Sequence, residues 1–135
     1  MKVSHVWRGH GSALFLELGD LTQMRRRDGT PGNPQGQIEL MIQWSWRIEE
    51  EQSIVCGSFS NEELWPPAFD RLLGREVLNV STFGRLPEVA LSLAGELHVV
   101  SFMTAEGDPA WTLFDRRTPK TVALHCRSGL LCLDD

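Results

Sequence analysis

Between Gly36 and Gly57 the chain alternates apolar and polar residues with a period of two. Ile38, Leu40, Ile42, Trp44, Trp46 and Ile48 take every second place, with Glu39, Gln43, Ser45, Arg47 and Glu49 between them. A helix, with its period of about 3.6 residues, would scatter those six around its axis, so the pattern predicts one long strand with a dry face and a wet one. Glu49 to Gln52 then turn the chain back into a second strand, Ser53 to Gly57.

The rest of the chain reads the same way. Residues 3–7 predict a short edge strand, and Leu14, Leu16 and Leu18 share one face of the next. Gly19-Asp20 fits a two-residue hairpin turn, which predicts a returning strand over Leu21–Arg27 with a charged, self-protecting end. Residues 28–36, DGTPGNPQG, are rich in chain-breaking residues and predict a mobile surface loop with no ladder. Ser60 to Glu63 has the form of a capping box, followed by a helix from about Pro67 to Leu73 that carries Phe69, Leu72 and Leu73 on one face and stops at Gly74. From Val77 onward, strands are expected over Val77–Phe83, around Val89–Leu93, over Leu97–Met103, from Trp111, over Val122–Cys126 and over Leu130–Leu133. Connections this short join antiparallel neighbours, because a parallel crossover needs a dozen residues or more. The expected fold is mainly β, at the margin of α+β: an antiparallel bent sheet or two packed sheets, with one short helix near residues 61–73. One domain over residues 1–135 is expected, since the chain on either side of the 28–36 loop is too short for a second core.

Charge and cysteines narrow the classes of function. Eighteen carboxylates against thirteen basic groups leave a net charge of −5, which disfavours nucleic acid or an anionic membrane as partner. Arg25, Arg26 and Arg27 form the one basic cluster and read as a solvated strand end. Cys56, Cys126 and Cys132 are an odd, widely spaced set, and the first residues lack a signal-peptide pattern, so a reducing cytoplasm is expected.

No catalytic signature emerges. His125-Cys126 with Cys132 comes nearest to a metal-ligand spacing, but adjacent strand residues face opposite ways, so no metal or other cofactor is expected. Cys56 alternates with Ile54 and reads as a small core residue, and the sequence around it lacks the G-x-S-x-G elbow. The carboxylate pairs Glu62-Glu63 and Asp134-Asp135 have no partner that sequence can assign to one cleft. Trp44 and Trp46, on one face of the long strand, read first as core; with Trp111 and the outward Arg47 they are the candidate lining of an apolar ligand pocket.

The succession WRIEEEQSIVCGS, a short helical insert, LLGREVLNVST, the strand pair through ELHVVSF, and WTLFD resembles small uncharacterised bacterial β-rich domains, similar in size and style to immunity proteins of toxin systems. The resemblance runs from about Gln43 to Asp115 and implies no catalytic residues. The function expected is therefore a non-enzymatic binding or interaction module of the bacterial cytoplasm, immunity-like, acting through a sheet face or edge on another protein or on a second copy as a homodimer. A small-ligand-binding domain built on the tryptophans is the alternative, and an enzyme with a site assembled from scattered residues is the third reading.

Overall fold

The computed structural model describes residues 1–134, so Asp135 of the terminal carboxylate pair lies outside the described residues. Among the described residues, eleven strands form two antiparallel sheets. In chain order they are β1 (Val3–Arg8), β2 (Leu14–Leu18), β3 (Ile38–Ile42), β4 (Trp46–Glu50), β5 (Ser53–Gly57), β6 (Val77–Phe83), β7 (Glu88–Leu93), β8 (Leu97–Ser101), β9 (Trp111–Asp115), β10 (Val122–Arg127) and β11 (Leu130–Asp134). A six-stranded sheet runs β1-β2-β3-β9-β10-β11, and a five-stranded sheet runs β5-β4-β8-β7-β6. The fold is mainly β, with two sheets and one short helix, as the alternation predicts.

The sheets enclose one core. Leu14, Leu16, Leu18, Leu40, Ile42, Trp111 and Cys126 come from the first sheet, and Trp46, Ile48, Cys56, Leu91, Leu93, Leu97 and Val99 from the second. The helix α1 (Trp65–Leu72) follows a 3-10 turn at Glu62–Leu64 and packs against β1 and β5. Pro66 and Pro67 sit in its first turn, where a missing N–H leaves no bond unmade, and Trp65, Ala68 and Leu72 form its buried stripe. The left-handed φ of 80° at Gly74 follows its end. The capping box is not formed: the Ser60 hydroxyl accepts the Gly57 N–H at 3.0 Å, and Asn61 occupies the cap position without a side-chain bond.

Two further expectations are corrected. The long strand is two strands. The chain leaves the six-stranded sheet after Ile42 and enters the five-stranded one at Trp46, with the Gln43 N–H donating to Ala110 O and Ser45 O accepting from Phe102 N–H across the corner. Alternation survives the break because both halves face the same interior from opposite sheets. Trp44 alone loses its place in the pattern: at the corner it is 47% exposed, whereas Trp46 is fully buried.

The partner of β2 is β3, with Leu18 opposite Ile38, and Leu21–Arg27 forms no strand. That segment has only Leu21 and Met24 to bury and leaves both exposed, while Ile38–Ile42 offers four apolar side chains. Residues 20–37 instead form an arm whose two limbs meet at Thr22 with Gln35 and at Arg25 with Pro31, so the glycine- and proline-rich stretch does carry isolated ladder bonds. The outer edge of β1 is occupied by the segment after α1: Val3 N–H donates to Arg75 O at 3.0 Å, and Gly74 N–H to Val3 O at 2.8 Å.

Candidate functional site

The four residues named by the sequence do not converge. Trp46 and Trp111 are core, and each indole N–H is satisfied by a carbonyl, Trp46 by Ser12 O at 2.7 Å and Trp111 by Pro87 O at 3.0 Å. Trp44 borders a crevice with Phe102 and Met103 of about 10 Å³, room for one water molecule at most. Arg47 lies on the outer face of the five-stranded sheet, bonded to Glu49 of its own strand at 2.6 Å, with its guanidinium 5.9 Å from the Phe102 ring centre.

The buried carboxylates lie elsewhere, on the outer face of the six-stranded sheet. Its register places Glu17 of β2 directly opposite Glu39 of β3, and both are buried, at 0% and 5% exposed. Glu17 accepts the Trp7 indole N–H and the Gly36 backbone N–H, each at 2.9 Å. Trp7 in turn stacks on Phe15 with ring centres 4.0 Å apart. Glu39 receives Arg116 Nη2 at 3.4 Å, and the guanidinium lies over Phe114. Burial pushes the Glu39 carboxyl up to about 8, with the hydrogen bond and charge of Glu17 adding to the rise and Arg116 opposing it. At neutral pH, Glu39 therefore keeps its proton beside Glu17. Such a pair can store a proton, but with so little exposure it cannot hand that proton to a substrate.

Gly36 closes this cluster. A Cβ there would lie 2.5 Å from Leu18 O and 2.6 Å from Leu18 N, both backbone atoms that cannot swing aside. Gly36→Ala is therefore expected to lower stability by about 2–3 kcal/mol by forcing the 35–37 segment off Glu17. Urea unfolding measures the loss, and a variant as stable as the parent would mean that the segment relaxes freely.

A second polar chain crosses the same face. His125 Nδ1 meets Thr112 Oγ1 at 2.9 Å, and His125 Nε2 meets Asp134 Oδ2 at 2.9 Å. The hydroxyl–imidazole–carboxylate sequence resembles a nucleophile relay, yet Thr112 is fully buried and no substrate reaches its oxygen. The chain acts as a strut tying β9, β10 and β11 together. Among the described residues, no group of three His, Cys, Asp or Glu side chains is placed to hold a metal ion.

Exposed leucines are most concentrated on β11. Its strand is Leu-Leu-Cys-Leu-Asp, with Leu130 70%, Leu131 47% and Leu133 67% exposed. Leu86, also exposed, reaches the adjoining Gly129 and extends the patch. The hairpin from β10 turns through Ser128 and Gly129, both at positive φ, so Arg127 and Leu130 exchange the closing hydrogen bonds. Cys126 O accepts from Ala110 N–H on the β9 side, which fixes the same alternation independently. It follows that Leu130, Cys132 and Asp134 direct their backbone groups to β10, and that Leu131 and Leu133 direct theirs to the open edge. Among the described residues, nothing pairs with that edge.

The other edges are protected in the ways natural sheets use. The 74–76 segment covers β1, and β6 carries a bulge between Val77 and Asn79 with Asn79, Ser81 and Thr82 along it. A register shift also interrupts the β4–β5 ladder, and β5 lies against α1. In contrast, β11 keeps an unbroken register over its whole length.

Sequence showed β11 as a strand but could not show it as an edge, because strand order is not a local property. Glu17 and Glu39 were likewise visible only as polar places in two alternating runs. Comparison with protein-family models, with curated proteins and with solved structures found no match to this chain.

Proposed function

We propose that this chain is a non-enzymatic protein-interaction module that binds by adding an extended segment of its partner to the open edge of β11. The observation that carries the reading is the outward-directed N–H and C=O groups of Leu131 and Leu133, flanked by exposed leucine side chains, on an edge with an unbroken register to which nothing pairs among the described residues. Backbone hydrogen bonds supply affinity in this mode, and alternate side chains supply selectivity. The exposed leucines of the strand favour a partner segment that carries alternating apolar residues. The resemblance of residues 43–115 to immunity-like bacterial domains supports the same setting, a bacterial cytoplasm in which a surface rather than a catalytic centre does the task. A ligand pocket built on the tryptophans has less support, because Trp46 and Trp111 fill the core.

Selection of random segments of about ten residues displayed on phage, with the purified protein as bait, tests the mode. Segments with alternating apolar residues are expected, and their binding is expected to disappear in Leu133→Lys, a substitution at an exposed site that leaves the core intact. Selected segments that bind parent and variant equally, or a selection that yields none, would overturn the proposal.

A further inference from the structure

The edge of β11 is complementary to itself. Two antiparallel copies related by a two-fold axis can meet only in registers that place outward-directed residues opposite outward-directed residues. Of these, the register centred on Cys132 engages the whole strand: Leu131 faces Leu133 of the other copy, and Leu130 faces Asp134. Registers centred on Leu131 or Leu133 leave part of each strand without an opposite. We propose that the strand added to β11 is β11 of a second copy, antiparallel and centred on Cys132, a proposal that rests on the edge-binding function above.

Three features of the chain favour a second copy as the occupant. Leu131 and Leu133 would exchange backbone bonds with Leu133 and Leu131 of the second copy, satisfying the open groups of both strands together. Their side chains lie on the same face as Cys126 and Leu124, against which they already pair, so the four leucines would extend an existing apolar surface. The charges also allow the joint: Asp134 of one copy faces Leu130 of the other, so no carboxylate faces a carboxylate.

At the axis, the two Cys132 residues would form a non-hydrogen-bonded pair, with Cα atoms about 4.5 Å apart. That separation falls within the range of about 4.4–6.8 Å that a disulfide spans. Cys132 is a free, partly exposed thiol, unlike the buried Cys56 and Cys126. It therefore reports the register directly. The pairing of two short strands is a small interface, so a dimer that dissociates in the micromolar range is expected.

Sedimentation velocity at about 100 µM, a concentration that populates a micromolar complex, is the first experiment. The full chain is expected to sediment mainly as a dimer and Leu133→Lys mainly as a monomer with unchanged far-UV circular dichroism, the substitution, present on both sides of the joint, raising the dissociation constant at least about a hundredfold. Brief treatment with diamide, which takes two electrons and two protons from a thiol pair and is itself reduced to the hydrazine, is expected to yield a covalent dimer that C132S abolishes. Moving the thiol one place, in L131C/C132S, is expected to lower the cross-linked yield several-fold. A monomer at this concentration, a dimer that persists in Leu133→Lys, or equal cross-linking from position 131 would overturn self-pairing in this register. If displayed segments still bind the parent and not Leu133→Lys, edge binding stands and only the second copy falls. If neither self-association nor displayed segments depend on Leu133, both proposals fall.

Discussion

Replacing Trp46 by alanine is expected to lower unfolding free energy by about 4–5 kcal/mol, the upper part of the range for large aromatic truncations in cores. The side chain is fully buried, packs edge-on to Trp65 with ring centres 5.2 Å apart, and lies 5.9 Å from Phe69. Its loss would leave α1 without the surface on which it rests. It would also leave the Ser12 carbonyl without the indole donor at 2.7 Å. The same substitution at Trp44, two residues earlier on the same alternating face, is expected to change stability by less than about 1 kcal/mol because that ring is half in solvent. Urea denaturation of the two variants side by side measures the contrast. Similar losses at both positions would mean that the corner between β3 and β4 is not where the structure places it.

The second large effect is electrostatic. Glu39 titrates near 8 in the fold and near 4.5 when unfolded, so its proton binding differs between the two states across that window. Below about pH 4.5 it is protonated in both states and its contribution to stability is intact. As pH rises, the unfolded chain releases the proton while the folded chain retains it, and stability falls until the folded carboxyl also ionises, near pH 8. The loss accumulated over the window is on the order of 4 kcal/mol.

Glu39→Gln removes the titration while keeping a neutral side chain that donates to Glu17 and accepts from Arg116. The variant is expected to match the parent near pH 5 and to exceed it by about 2–4 kcal/mol at pH 8. The difference between the two profiles isolates Glu39 from groups that titrate elsewhere. One such group is Asp115, held down to about 2 by its hydrogen bonds from Arg117, whose stabilising effect is lost only in acid. Parallel profiles for parent and variant would show that Glu39 is already ionised in the fold at neutral pH.

What could be read in the sequence depended on whether the signal was local. From Val77 onward, each strand is bounded by its own turn residues, and the structure places β6, β7, β8, β10 and β11 close to where the alternation put them. The corner at Gln43–Ser45 has no glycine or proline to mark it, and because both sheets bury toward one interior the alternation passes through it unchanged. The pairing of β2 was missed for a related reason. Gly19-Asp20 is a good turn signal, but Leu21–Arg27 has no apolar face to pair with, and the distant Ile38–Ile42 does. The Glu17–Glu39 contact and the open edge of β11 both depend on which strands are neighbours, so neither was legible until strand order was known.

The position of β3 has a consequence for synthesis. One edge of β3 is met early by β2, but its other edge is met only by β9, whose residues Trp111–Asp115 are made after all of β4 to β8. Until they leave the ribosome, Leu40 and Ile42 sit on a strand with an open flank, and the six-stranded sheet cannot close around its centre. Closure of this sheet is thus expected to wait for Trp111–Asp115, and nascent chains stalled before Trp111 are expected to need a chaperone to stay unaggregated.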